Sequence, residues 1–302
     1  MLSIDVCGIR IRNPLILASG ILGSTGATLK RVAKYGAGAV VTKSIGTDAR
    51  EGHKNPSIVE LEKDKGLLNA IGLANPGYKA FEEDIETAKT GGVPVIGSAY
   101  GFSLDDYVEV ASALESYGAD AVELNFSCPN VEKTGVEFGQ DPELSYEAVK
   151  AVKEKLAVPV IAKLSPDVRD IVEIAKACEE AGADAITAIN TLRAMKIDIR
   201  VATPILGNKI GGLSGPCIKP VAVRCVYEIA GELDIPVIGC GGVTTGEDAV
   251  EFLMAGARAV QIGTGIYYRG ISIFRKVAKE MEEFMRSEGY GGVEELIGAA
   301  QE

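Results

Sequence analysis

Two short elements alternate along the chain, and their alternation restricts the fold more than any other feature of the sequence. One is a proline followed by two apolar residues: Pro14-Leu15-Ile16, Pro94-Val95-Ile96, Pro159-Val160-Ile161 and Pro236-Val237-Ile238. The other is Gly-Ala ahead of a short apolar run: Gly36-Ala37-Gly38-Ala39-Val40, Gly118-Ala119-Asp120-Ala121-Val122, Gly182-Ala183-Asp184-Ala185-Ile186 and Gly256-Ala257-Arg258-Ala259-Val260. Together they mark eight short, continuously apolar runs, the pattern of strands buried on both faces. Between them lie stretches with apolar residues at helical spacing, such as Leu104-Tyr107-Val108-Ala111-Leu114 and Val168-Ile171-Ile174-Ala175-Cys178. The first glycine of each Gly-Ala element suits a helix C-terminus, where it takes a left-handed conformation without steric cost.

Eight strand-then-helix units imply a parallel sheet covered by helices, and eight such units close a (β/α)8 TIM barrel of the α/β class. A chain of 302 residues fits one such domain spanning residues 1–302, with long strand-to-helix loops. A doubly wound open sheet is the alternative. The even repeat count and the lack of a G-x-G-x-x-G fingerprint count against it.

The formal net charge of -11 and a pI of about 4.9 argue against nucleic acid and anionic membrane surfaces as partners. No apolar run approaches the roughly 20 residues of a membrane span. The start, Met1-Leu2-Ser3-Ile4-Asp5, lacks the basic region of a signal peptide. A cytoplasmic protein is the expectation. The six cysteines, Cys7, Cys128, Cys178, Cys217, Cys225 and Cys240, form no CxxC pair, so neither zinc nor an iron–sulfur cluster is expected in this chain, and the thiols should be reduced. The only histidine is His53, which leaves few choices of general base near neutral pH.

Barrel sites lie at the C-terminal ends of the strands. In this sequence those ends carry Ala18-Ser19-Gly20, Thr42-Lys43-Ser44, Gly97-Ser98-Ala99-Tyr100-Gly101, Asn125-Phe126-Ser127-Cys128-Pro129-Asn130, Lys163-Leu164-Ser165-Pro166, Ile189-Asn190-Thr191, Gly239-Cys240-Gly241-Gly242 and Gly263-Thr264-Gly265. Lys43 and Lys163 close otherwise apolar strands, which is unusual for solvated surface charges. Cys128 stands among Asn, Ser and Asn, poor company for a packing thiol. The glycine turns after the seventh and eighth strands, with Gly215 before a helix near Pro216, let backbone N–H groups approach a phosphate. The connection after the second strand, residues 46–76, is long and carries Asn69-Ala70-Ile71-Gly72-Leu73-Ala74-Asn75-Pro76-Gly77, too apolar for a disordered segment. Those after the fourth and sixth strands are also long, and the latter ends in Gly211-Gly212-Leu213-Ser214-Gly215-Pro216.

Residues 69–77 and 125–130, Asn190-Thr191-Leu192 and residues 211–220 resemble the corresponding segments of the dihydroorotate dehydrogenases, in particular the class 1 B-type catalytic subunits. The likeness runs from Asn13-Pro14 to Glu294-Glu295-Leu296-Ile297. The Asn-Phe-Ser-Cys-Pro-Asn run is also similar to the pyrimidine-site domain of dihydropyrimidine dehydrogenases. Class 2 enzymes carry a serine base and an N-terminal membrane-associated extension, where this sequence has a cysteine and is read as having no extension.

The resemblance implies FMN on the barrel rim. Flavin contacts would fall on Ser19, Lys43, Ser44, Ser98, Asn125, Lys163 and Ile189, and phosphate contacts on Gly215, Gly241, Gly242, Gly263 and Thr264. An asparagine is common in the family at Ser98, so the shorter serine is expected to reach its ligand through water. Substrate contacts would fall on Lys43, Asn69, Ala70, Ile71, Gly72, Leu73, Asn125, Asn190 and Thr191, with residues 69–73 closing over orotate and Cys128 as base. Oxidation of dihydroorotate to orotate in pyrimidine biosynthesis follows, with electrons passed to NAD+ through a partner subunit carrying FAD and a [2Fe–2S] cluster. The implied assembly is a homodimer core within a heterotetramer. A fumarate-using class 1 A-type enzyme and a flavin-free phosphate-binding barrel aldolase or isomerase are the alternatives.

Overall fold

A computed structural model of the chain describes residues 1–61, 65–126 and 138–301. Eight strands form a closed barrel: β1 Leu15–Leu17, β2 Ala39–Val41, β3 Val95–Ala99, β4 Ala121–Asn125, β5 Val160–Leu164, β6 Ala185–Ala188, β7 Val237–Cys240 and β8 Ala257–Ile262. All neighbouring pairs are parallel and follow chain order, β8 closing onto β1. The helices between them include α1 Gly26–Lys34, α2 Glu82–Lys89, α3 Leu104–Ser116, α4 Pro142–Lys153, α5 Ile171–Glu180, α6 Lys219–Ala230, α7 Gly246–Met254, α8 Gly265–Arg269 and α9 Ile273–Glu288. The expected (β/α)8 architecture is the one observed.

The two sequence elements meet physically at the barrel's N-terminal side. The carboxylate of Asp120 accepts the backbone N–H of Val95 at 2.8 Å, and that of Asp184 accepts Val160 N–H at 2.7 Å. Each aspartate of a Gly-Ala-Asp element thus receives the first donor of the preceding Pro-Val-Ile strand, which has no proline-ring constraint to deny it. The paired glycines, Gly36, Gly118, Gly182 and Gly256, all take positive φ, between 94° and 111°, where a side chain would be strained. Helix starts are fixed locally as well. Ser103 with Asp106 and Thr245 with Asp248 form capping boxes, and Asp141 and Asp170 cap α4 and α5.

The long connections contain structure that the sequence pattern does not announce. Residues 46–76 carry strands Ile58–Leu61 and Gly66–Asn69, and the connection after β6 carries Leu192–Ala194 and Gly211–Ser214; these make one four-stranded antiparallel sheet. Gly212 pairs with Asn69, far away in sequence. With no short-range partner and two glycines at its core, this sheet has no period to read locally. A small hairpin, Ile4–Val6 with Ile9–Ile11, precedes the barrel.

Candidate active site

Side chains from five strand ends form a continuous hydrogen-bonded ledge across the C-terminal rim. Ser19 Oγ lies 3.2 Å from Ser44 Oγ, and Ser44 Oγ lies 3.0 Å from Ser98 Oγ. Asn125 Nδ2 donates to Ser44 Oγ at 3.0 Å, and Asn190 Nδ2 donates to Asn125 Oδ1 at 3.1 Å. Thr191 N–H then donates to Asn190 Oδ1 at 2.8 Å. Each amide is oriented by its neighbour, so the ledge presents fixed donors and acceptors. Ser98 is fully buried behind Ser44, and its own N–H is taken by Thr42 Oγ1 at 2.8 Å. The short side chain at this position therefore backs the ledge.

The two lysines sit beside this ledge in unequal surroundings. Lys43 is half-buried, and burial lowers its pKa from the ordinary lysine value, so an anion beside it would be favoured. Lys163 is almost fully buried, with Nζ 2.7 Å from Gln261 Oε1 and 3.5 Å from Glu123 Oε1. Burial, the largest influence, lowers its pKa, but the facing carboxylate of Glu123 together with Cys240 opposes it and the net shift is upward. Ile189, buried at the end of β6, is held by its N–H on Cys240 O at 2.9 Å.

The glycine turns converge on the same rim. Gly215 has φ +105°, and Gly241 and Gly242 have φ +138° and +83°. A Cβ on Gly242 would fall 3.0 Å from Gly215 O and 2.7 Å from Lys219 Cβ, and one on Gly215 would fall 2.8 Å from Lys65 O and 3.5 Å from Thr264 Cγ2. These turns approach one another so closely that a side chain at either position would fill the space between them. Thr264 Oγ1 donates to Ser214 Oγ at 2.7 Å, tying the turn after β8 to the same place. Gly263 is less crowded, its nearest neighbour being Ala18 Cβ at 3.4 Å.

Residues 69–73 are joined to the ledge through Gly212. Asn69 Nδ2 donates to Gly212 O at 3.1 Å, while a Cβ on Gly212 would fall 2.2 Å from Thr191 Oγ1. Ala70 N–H donates to Ser57 O, and Ile71 O accepts His53 N–H. Gly72 and Leu73 both take left-handed φ, +72° and +57°. A Cβ on Gly72 would meet His53 N at 2.6 Å. Asn75, buried, fixes the far end: its amide donates to Leu73 O and Tyr100 OH, each at 2.8 Å, and its oxygen accepts Gly77 N–H at 2.9 Å and Gly46 N–H at 3.3 Å.

Cys128 lies outside the described residues. Among the described cysteines, burial pushes the thiols of Cys7 and Cys178 up to about 12 and also raises those of Cys225 and Cys240, which disfavours a thiolate at any of these four. No cluster of metal-binding side chains occurs among the described residues. The pattern of strand ends missed the buried Glu123, Thr187 and Gln261. Of these, Glu123 was open to detection, since it stands two residues before Asn125 on the same strand and so shares its face.

A family model described as dihydroorotate dehydrogenase matches residues 1–285. The chain is 51% identical to dihydroorotate dehydrogenase B (NAD(+)), catalytic subunit, of Methanocaldococcus jannaschii, over 100% of this chain and 99% of that one. It is 52% identical to the protein of the same name from Pyrococcus abyssi, over 99% of each chain. The namesake from Thermoplasma acidophilum is also 52% identical, over 99% of this chain and 98% of its own. With a closed parallel barrel, a polar rim and a match over nearly its whole length, the chain belongs to the dihydroorotate dehydrogenase family.

Proposed function

We infer that this chain oxidises dihydroorotate to orotate in pyrimidine biosynthesis, with NAD+ as the final acceptor through a partner subunit. The observation that carries the reading is the ledge from Ser19 to Thr191, flanked by two buried or half-buried lysines and facing the converged glycine turns. A barrel needs none of these polar groups to fold, whereas a flat ring with amide edges and a carboxylate needs all three kinds.

FMN fits this donor set. The space between Gly215 and Gly242, which a Cβ would fill, with Gly241, Gly263 and Thr264 beside it, would take the phosphate. Ser19, Lys43, Ser44, Asn125, Lys163 and Ile189 would line the ring, with Ser98 acting through Ser44. When bound, FMN supplies the acceptor for the substrate's hydride. The protein's share is to orient the ring and handle the proton. Asn69, Asn125, Asn190 and Thr191 would hold the amide edges, with Ala70, Ile71, Gly72 and Leu73 covering them. Lys43 would pair with the carboxylate. Cys128 would remove the proton alpha to the ring carbonyl.

The partner is a separate electron-transfer subunit with FAD and a [2Fe–2S] cluster, docked on a homodimer of this chain. Self-association is supported by an exposed apolar edge: Met195, Ile197, Ile199 and Val201 alternate along one segment, Ile199 being 90% exposed. Residues 1–302 would form one domain, and the protein would be cytoplasmic; among the described residues no helix is long and apolar enough to cross a membrane.

The purified chain should be yellow, and anaerobic dihydroorotate should bleach its flavin absorbance. A colourless protein that takes up no FMN would sink the reading and favour a phosphate-binding aldolase or isomerase. Asn75→Ala should weaken orotate binding about tenfold and lower stability by about 1–3 kcal/mol, because several buried partners lose their hydrogen bonds at once. Titration of orotate against flavin absorbance and thermal unfolding measure the two effects. Unchanged orotate affinity would detach residues 69–73 from the substrate.

A further inference from the structure

Below the ledge, inside the barrel, lies a second polar layer that the substrate would not touch. Glu123 stands two residues before Asn125 on β4 and so shares its face, and Thr187 on β6 and Gln261 on β8 turn to the same interior, where their side chains meet that of Glu123. Glu123 and Thr187 are fully buried and Gln261 nearly so. Thr187 Oγ1 and Gln261 Nε2 donate to Glu123 Oε2 at 3.0 and 2.5 Å. Lys163 Nζ donates to Gln261 Oε1 at 2.7 Å and lies 3.5 Å from Glu123 Oε1, which has no hydrogen-bond partner.

Packing does not explain this layer. Branched apolar side chains fill barrel interiors well, and replacing a buried ion pair by them is often neutral or stabilising. An amine has three donors. Gln261 Oε1 takes one of them, and the Glu123 carboxylate faces the amine at 3.5 Å as an ion pair, so the charge is held from within the barrel. The charged or titratable groups facing Lys163 are Glu123 on β4 and Cys240 on β7, of which burial raises the Cys240 thiol and Glu123 is the carboxylate. Glu123 is therefore the counter-ion of this lysine within the barrel.

We propose that Glu123, bridged by Gln261, is a positioning residue that anchors the Lys163 ammonium beneath the rim, so that a fixed positive charge favours the reduced, anionic form of bound flavin. The inference rests on the FMN reading above. Its physical basis is that a buried lysine without a counter-ion sheds its proton. Glu123 thus acts on the flavin through Lys163, and its loss has the opposite sign to a direct charge effect. Removing an anion would by itself make reduction easier, whereas discharging Lys163 makes it harder.

The test is the equilibrium midpoint potential of FMN in the holoenzyme, measured against reference dyes for the natural chain, E123Q, K163M and the double variant. E123Q should weaken reduced relative to oxidised FMN binding about tenfold, a drop of about 30 mV for a two-electron couple. K163M should lower the potential at least as much, and the double variant no further than K163M. A folded E123Q with an unchanged or raised potential overturns the proposal, as does an additional drop in the double variant. If E123Q does not fold, the double variant decides. Folding of the double supports the proposal, because the defect is then the unpaired lysine. A double variant that does not fold overturns it, since the barrel then needs Glu123 irrespective of Lys163. A natural chain without flavin would refute the cofactor reading itself, whereas a flavin-bearing chain with an unshifted E123Q refutes only this inference.

Discussion

Replacing Cys128 with alanine is expected to slow reduction of the bound flavin by dihydroorotate about 10²-fold or more, while FMN and orotate still bind. The proton to be removed is alpha to a carbonyl, and Cys128 follows the end of β4 three residues after Asn125, a member of the ledge. The described thiols of Cys7, Cys178, Cys225 and Cys240 are raised by burial. His53, the only histidine, is exposed and packs against Gly72. A cysteine base makes the rate rise through the ordinary thiol value of about 8.5. At pH 7 an ordinary cysteine is only about 3% thiolate, so the rate should climb well into the alkaline range. Cys128→Ser should keep a little activity, displaced to still higher pH. Stopped-flow reduction across pH measures all of this, and near-normal kinetics in Cys128→Ala would remove the cysteine from the mechanism.

The isolated chain should turn over poorly with NAD+ even though dihydroorotate reduces it and artificial dyes reoxidise it. The sequence has neither a dinucleotide fingerprint nor cysteines at cluster spacing. Adding a subunit that carries FAD and an iron–sulfur cluster should raise NAD+ reduction by orders of magnitude without changing the rate of flavin reduction by substrate. Steady-state assays with and without that subunit give the comparison. Rapid NAD+ reduction by the chain alone would contradict the two-subunit reading. Efficient fumarate reduction would instead point to the A-type enzyme.

The barrel was legible because its signals are local. A Pro-Val-Ile strand and the Gly-Ala-Asp element of the next strand each announce themselves within a few residues, and the Asp120–Val95 and Asp184–Val160 hydrogen bonds show why they occur together. The rim was legible for a related reason. Once the strands are placed, their ends are known, and the polar residues there have no packing role. Lys43, Asn125, Lys163 and Asn190 could be singled out on that ground alone.

What the sequence by itself determined is therefore the closed parallel barrel, the identity of the rim residues and the family resemblance. Only the tertiary structure decided how distant segments complete the site. The pairing of Gly212 with Asn69 and its contact with Thr191 join the connections after β2 and β6, and no local period encodes a partner that far along the chain. That Ser98 is fully buried and hydrogen-bonded to Ser44 of another strand could be seen only once the strands were paired. Glu123, set in a run that reads as apolar, became meaningful only when β4, β5, β6 and β8 closed around one interior and brought Lys163, Thr187 and Gln261 within reach. A buried charge is interpreted by its partners, and barrel closure is what chooses them.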